Sequence, residues 1–337
     1  MTQQPTAPQA APTSADVARL AGVSRATVSY VLNDSASGRV SEQTRQRVRA
    51  AAAELGYVPH AAARSLRAGH TGIVLLTVPE IVFGPLFSEF LNQMRTGLRA
   101  HGYTTVIYGT SGEEATARAW AELRPTAVIS NLGSGLTAEG AELLRRSGTR
   151  TVLTIGDTQV PGTHFLKLDQ TDVGATAARH LLAAGHRRIG AVVPNDRALD
   201  WFSLPRLDGV HAACAGQKGA RIERLDLDYT EESAARLAAR WRESGLTGLF
   251  AYNDEFALLL LSAFQDAGLR VPEDVALVGA DDLMFARLTR PRLTTVRQQL
   301  PDGNKLAELI DRLVRHPDTP AESHDLGSAH IVVRDSA

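Results

Sequence analysis

The sequence predicts two architectures in one chain: an all-α helix-turn-helix headpiece, then an α/β core of two doubly wound parallel-sheet subdomains. Three observations carry this. Residues 15–33 read ADVARLAGVSRATVSYVLN, two short amphipathic segments separated by Gly-Val-Ser. From Gly72 onward, apolar strand runs alternate with helical stretches, a pattern that makes a sheet parallel. The alternation occurs in two successive sets, and 337 residues exceed what one core supports.

The headpiece elements follow from spacing. Val17, Leu20 and Ala21 stand at i, i+3 and i+4, one face of a first helix. Thr13 or Ser14 caps it, Asp16 sits in its first turn, and Gly22 breaks it. Ser24 caps a second helix over Arg25–Asn33, in which Val28, Val31 and Leu32 face inward. Ala26, Tyr30 and Asn33 then point outward with Ser29 beside them, and Arg25 reaches from the flank. Ser41 caps a third helix, Glu42 favours its first turn, Val48, Ala52 and Leu55 form its apolar stripe, and Gly56 ends it. Three short helices with a glycine turn between the first two describe a helix-turn-helix, whose second helix enters a DNA major groove. The outward Arg, Thr, Ser, Tyr and Asn side chains hydrogen-bond to phosphates or base edges, and none is acidic.

Charge agrees with that partner. The net charge is −1, but residues 1–70 hold eight arginines and four acids, leaving 28 basic and 33 acidic residues beyond. A head of +4 on a body of −5 gives the head an anionic partner. The start, MTQQPTAPQAAPTS, has neither a basic nor an apolar leader region and reads as a flexible tail over 1–12. No apolar run approaches the roughly 20 residues that span a bilayer. A lone Cys214, in HAACAG on a helix, excludes an internal disulfide and fits a packing role. A cytoplasmic protein without membrane contact is expected.

ADVARLAGVSRATVSYVLN, continued by RVSEQTRQRVRAAAAELGYVPHAAARSLRAG, closely resembles the headpiece of the LacI/GalR family of bacterial transcriptional regulators, from about Thr13 to Gly69. The resemblance implies that Arg25, Ala26 and Tyr30 read bases. Ser24, Thr27, Ser29 and Asn33 match positions that mostly hold phosphates. HAAARSLRAG matches the family's hinge helix, ordered only when two protomers meet on an operator. Ala63, Arg64 and Ser65 precede Leu66, which matches the leucine wedged into the minor groove at a central C-G step. His60 stands where the family usually has Asn.

In the body, GIVLLTV (72–78), TTVIYG, TAVIS and TVLTIG read as strands, separated by helices about Leu86–Ala100, Glu113–Leu123 and Thr137–Arg146. A second set begins at FLKLD (165–169) and continues through RRIGAVV, RIERLDL, GLFAY and VALVGADD. Two such halves with a cleft between them fit a periplasmic-binding-protein-like core, which the LacI/GalR family also has. Ligands there sit at the carboxyl ends of the strands.

AAGHRRIGAVVP, PRLDGVHAA, AYNDEFALLLLSAFQDAGLRVPEDVALVGADD and PRLTTVRQ are further family-like stretches. By that resemblance Arg206 is the cleft arginine, Asn253, Asp254 and Asp281 are polar groups at strand ends, and Phe87 and Tyr229 are aromatic stacking positions. Trp201 and Phe202, before Arg206, add another wall. An arginine, two aspartates and aromatic faces suit a sugar, nucleoside or purine-like ligand. Three positions depart from the family: Leu86 replaces an aromatic, QTDVG follows Asp169, and Ala280 stands where Tyr or Phe is common. The stretch Gly109–Val128 is a helical turn shorter than usual.

These readings divide the chain into a tail (1–12), a headpiece (13–59), a hinge helix (60–70) and an effector-binding and dimerisation domain (71–337). Within the last, a first subdomain takes about 71–164 plus 292–325 and a second about 165–291 plus 326–337. The function expected is a dimeric repressor of a pseudo-palindromic operator, switched by a small-molecule effector. An enzyme is disfavoured, because G-x-S-x-G, P-loop, H-E-x-x-H and paired-Cys patterns are missing; no cofactor or metal is expected. A transport receptor fits the cleft but not the headpiece. A cytoplasmic small-molecule receptor, or a regulator with a degenerate effector site, is the alternative. The segment after AHIVVRD lacks an apolar heptad tail, which favours a dimer over a tetramer.

Overall fold

Capping chemistry sets the helices of the N-terminal unit. In α1 (Ser14–Ala21) the Thr13 hydroxyl accepts from the Asp16 amide while Asp16 accepts from the Thr13 amide, and Gly22 closes the helix at φ 64°. In α2 (Arg25–Leu32) the Thr27 amide donates to Ser24 Oγ at 3.1 Å. In α3 (Glu42–Glu54) Ser41 accepts from the Thr44 amide. Val17, Ala18, Ala21, Val28, Val31, Val48, Ala51 and Ala52 bury one small shared core. Leu20, expected inward, is 48% exposed, because the buried stripe of α1 runs through Val17, Ala18 and Ala21. At 100° per residue Leu20 stands about 100° off the centre of that stripe.

This computed structural model describes residues 12–32, 40–58, 71–79, 85–110, 117–131, 135–300 and 302–337. The chain divides into two units, Met1–Thr71 and Gly72–Ala337. The expected hinge helix over 60–70, with Ala63, Arg64 and Leu66, lies outside the described residues, as does Asn33.

The second unit begins with β1 (Ile73–Pro79), α4 (Pro85–Ala100), β2 (Thr104–Thr110), α5 (Ala117–Glu122), β3 (Ala127–Asn131), α6 (Ala138–Arg146), β4 (Thr151–Gly156) and β5 (His164–Lys167). Then come α7 (Gln170–Ala183), β6 (Arg188–Pro194), α8 (Asp200–Cys214), β7 (Arg221–Leu227), α9 (Glu231–Ser244), β8 (Gly248–Phe250), α10 (Asp254–Asp266), β9 (Ala276–Ala280) and β10 (Thr294–Gln298). The chain closes with α11 (Gly303–Arg315), β11 (Ser323–Asp325) and β12 (Ala329–Val332). Two six-stranded sheets result, ordered β2-β1-β3-β4-β5-β11 and β7-β6-β8-β9-β10-β12. All pairings are parallel except β10 with β12. The two halves repeat one winding, so each half has its strand carboxyl ends on one side.

Two expected boundaries are corrected. FLKLD does not open the second half: β5 pairs with β4, Leu153 opposite His164, and completes the first sheet. The segment after 292 does not return at once to the first half, because β10 pairs with β9, Thr294 opposite Val278. The chain therefore crosses between halves three times: after Lys167, after Gln298 and after Asp325. The physical reason is that an apolar run identifies a strand but not its partner.

Helices α7 and α8 pack at unusually close range. A Cβ on Gly174 would occupy the position of the Arg206 carbonyl oxygen, and one on Gly209 that of the Thr171 carbonyl oxygen. Glycine at both positions lets the two backbones meet and fixes where Arg206 stands. Replacing Gly209 by Ala must push the helices apart, and we expect it to lower stability by about 1–3 kcal/mol, the usual size of an overpacking penalty. Urea denaturation of the two proteins checks this; an unchanged midpoint would contradict the close approach.

Candidate functional site

The exposed face of α2 is built from Ser24, Arg25, Ala26 and Tyr30, with Thr27 and Ser29 partly covered at its edges. Val28 and Val31 anchor the opposite face. Ser24 Oγ is 2.9 Å from Thr27 Oγ1, so the two hydroxyls are positioned by each other at the helix start. The first turn carries no acid. The helix N-terminus, with its unsatisfied amides, and the Arg25 charge therefore present a surface suited to anions. Tyr30, 44% exposed, stands one turn further along.

The second unit contains a cleft of about 560 Å³. Its walls come from the carboxyl ends of both sheets: Ile155 on β4, Pro194 on β6, Leu227 on β7 and Gln298 on β10. This is where an open α/β sheet exposes strand-end loops to ligands. Of the expected residues, Phe87, Phe202, Arg206, Tyr229, Asn253 and Asp281 line it.

Arg206, 4% exposed, is the hub. Its Nε donates to Gln170 Oε1 at 2.9 Å, one terminal nitrogen donates to the Tyr252 carbonyl at 2.7 Å, and the other lies 3.3 Å from Asp281 Oδ1. Its guanidinium carbon is 5.0 Å from the Tyr252 ring centre and 5.8 Å from that of Phe202. Gln170 Nε2 donates onward to Gln298 Oε1 at 3.1 Å. The planar fork thus ties α7, the turn after β8 and the turn after β9 to one point. Both turns hold non-glycine residues at positive φ, Tyr252 at 64°, Asp281 at 96° and Asp282 at 49°. Such backbone persists only where its surroundings over-determine it. The Asp281 amide donates to the Val296 carbonyl, and Asp282 is held by Arg297 and Arg334.

Two expected contacts are corrected. Asp254 is fully buried behind the cleft and does not line it. Its carboxylate accepts from the Leu283 amide at 2.7 Å and from the Thr295 hydroxyl at 2.5 Å, a brace from α10 to the β9–β10 turn and to β10 itself. Burial pushes its pKa up to about 7, against the lowering by those two hydrogen bonds. Trp201 also lies outside the lining. A helical neighbour one residue from Phe202 points about 100° aside, which takes Trp201 off the cleft face; its ring centre is 3.5 Å from that of Phe202. Cys214 is buried in the apolar cluster of the second half, and burial raises its thiol.

Sequence reasoning missed Asp196, Glu255, Tyr252 and Gln170. Tyr252 and Glu255 flank Asn253 and Asp254 in the same YNDE stretch. Gln170 opens the QTDVG stretch that looked like a departure, and it is the arginine's partner. Departing Leu86 does line the cleft, where it adds apolar surface.

Comparison with known proteins agrees with this layout. A family model described as "Bacterial regulatory proteins, lacI family" matches residues 13–60, and one described as "Periplasmic binding protein-like domain" matches residues 178–337. The chain is 30% identical over 292 residues to the HTH-type transcriptional repressor PurR of Photobacterium profundum, covering 84% of this chain and 86% of that protein. It is 31% identical over 322 residues to the HTH-type transcriptional regulator GalR of Salmonella typhimurium, covering 92% and 91%.

The chain belongs to the LacI family of bacterial regulatory proteins.

It is a DNA-binding transcriptional regulator, not an enzyme. Among solved structures, a Lac repressor dimer bound to operator and the anti-inducer ONPF matches with a TM-score of 0.75 at 25% identity, covering 97% of this chain and 99% of that one. A transcriptional regulator CelR–cellobiose complex matches with a TM-score of 0.63 at 28% identity, covering 97% and 100%. Among the described residues, no helix is long and apolar enough to cross a membrane, and no group of three His, Cys, Asp or Glu side chains could hold a metal.

The Asp254 brace has a pH signature. Its carboxyl titrates near 7 when folded, above its ordinary 3.8, so its contribution is full below about 4 and is lost as pH rises through 7. Asp254→Asn keeps both partners, since the amide oxygen accepts from Leu283 and the amide nitrogen donates to Thr295. We expect the variant to be the more stable protein at pH 8 and to flatten the decline between pH 4 and 7. Urea midpoints across that range check it; parallel profiles would contradict a buried, raised carboxyl.

Proposed function

We propose that this protein represses transcription as a cytoplasmic homodimer on a pseudo-palindromic operator, and that a small sugar- or nucleoside-like effector in the cleft sets its affinity. The observation that carries the reading is the acid-free face of α2, from Ser24 to Tyr30, standing in a unit that folds around its own core. Arg25, Ala26 and Tyr30 are the base-reading positions. Ser24, Thr27, Ser29 and Asn33 hold phosphates, and Leu66, with Ala63 and Arg64, opens the operator centre. In the cleft, Arg206 and Asp281 meet hydroxyls while Phe87, Phe202 and Tyr229 supply ring faces. Asn253, capping α10 through the Phe256 amide, adds a polar group. The effector acts by binding one arrangement of the two halves better than the other, since only differential affinity shifts a population.

Selection of duplexes from a random library by the full-length protein tests this, at a fixed salt near about 150 mM because phosphate contacts make affinity salt-dependent. An enriched palindrome is expected; no enrichment, with or without cell-extract metabolites, would contradict it. Tyr30→Ala is expected to cost about 1–3 kcal/mol and to relax preference at one base position, read by repeating the selection with the variant. Arg206→Ala is expected to bind operator but lose the effector response. A variant that still responds would move the effector away from the hub.

A further inference from the structure

The charge of the cleft narrows what enters it, and the argument rests on the effector reading above. One arginine, Arg206, faces the cavity with the carboxylates of Asp196, Glu255 and Asp281. Arg206 is already paired with Asp281 and otherwise bonded to Gln170 and the Tyr252 carbonyl. Among the described residues of the cleft lining, Asp196 and Glu255 therefore have no cation paired with them. The Asp196 carboxylate accepts from the Ala198 amide, and Glu255 is bonded to the uncharged Asn253 amide at 3.3 Å. Both lie close enough to the buried Tyr252 ring that they, together with Asp281, help to hold its hydroxyl protonated, after burial itself. The three acids line the same cleft. A fourth acid, Asp228, is shared with an outer groove that holds Arg224, Arg236 and Arg240, so it adds less to the cleft field.

Beside these acids the cleft is aromatic, lined by Tyr229, Tyr252 and Phe256, with Phe87 and Phe90 adding further rings; Phe256 packs on Tyr252 with ring centres 5.5 Å apart. Tyr229 and Phe256 pack with ring centres 4.9 Å apart. Carboxylates beside ring faces attract a cation twice over, by Coulomb attraction and by the negative face of the ring. They repel a phosphate or carboxylate.

We propose that the effector is a hydroxylated ring bearing a protonated amine, and that Asp196 and Glu255 select it over neutral and anionic analogues. Hydroxyls are met by Arg206–Asp281 and Asn253; the ammonium lies between Asp196 and Glu255; the ring's apolar face rests on the aromatic wall. The arrangement excludes phosphorylated sugars and nucleotides, whose charge has no free cation to meet among the described lining residues.

The test is calorimetric titration of the full-length protein, and of the Asp196→Asn, Glu255→Gln double variant, with three matched sets. These are the 2-amino-2-deoxy hexoses of gluco, galacto and manno configuration, their parent hexoses, and the parent 6-phosphates. The expected result is an amine preferred over its parent by at least about tenfold in the wild type, equivalent to about 1.4 kcal/mol. That preference falls to about twofold or less in the double variant, which still binds the parent, so loss of fold does not explain the change. A parent hexose or a phosphate binding as tightly as the amine would overturn the charge selection while leaving the cleft as the effector site. No binding in any set would overturn the hydroxylated-ring effector itself.

Discussion

The buried guanidinium of Arg206 is the contact on which the second unit's cleft depends. It reaches an amide side chain on α7, a main-chain carbonyl after β8 and a carboxylate after β9. Each partner belongs to a different element, and two of them stand on left-handed backbone. A charge buried to this degree is costly unless paired and fully bonded, and removing one partner leaves the rest uncompensated. The close approach of α7 and α8 at Gly174 and Gly209 makes the geometry possible, because the backbone carrying Arg206 is pressed against α7. Helix packing, strand-end turns and cleft wall are therefore one construction.

The repeated winding explains why such a contact faces a ligand. Both sheets follow the same strand order, and their carboxyl ends supply the cleft lining. Three crossings join the halves, and Gln298, Leu300 and Leu326, which lie at two of them, also line the cleft. A molecule bound there touches the connections as well as the walls. An effector can thus bias the relation of the two halves without contact elsewhere.

Much of this was legible in the residues. The cap residues Thr13, Ser24 and Ser41, the break at Gly22 and the Val28/Val31 stripe define the headpiece with no tertiary information. The alternation of strands and helices fixes the doubly wound class. Partner assignment was not legible: FLKLD and LTTVRQ read equally well as starting or ending a half, since period and propensity say nothing of which sheet accepts a strand. Asp254 and Trp201 failed for another reason. A polar or aromatic residue near a strand end faces ligand or core according to about 100° of helix rotation, and only packing decides it. Gln170 was hidden because a side-chain acceptor for a buried arginine has no local sequence signature.

If Arg206 holds the two strand-end turns in place, Arg206→Lys loosens them, and amide hydrogen exchange reads that loosening. Lysine keeps the charge but loses the fork. Faster exchange is expected at the amides of Phe256, Asp281 and Leu283, bonded respectively to Asn253, Val296 and Asp254. Exchange in the first sheet at β1 and β3 and in the headpiece helices is expected to stay unchanged, because those amides lie away from the hub. Unchanged protection at these three amides, or loosening spread evenly through the chain, would contradict that role for Arg206.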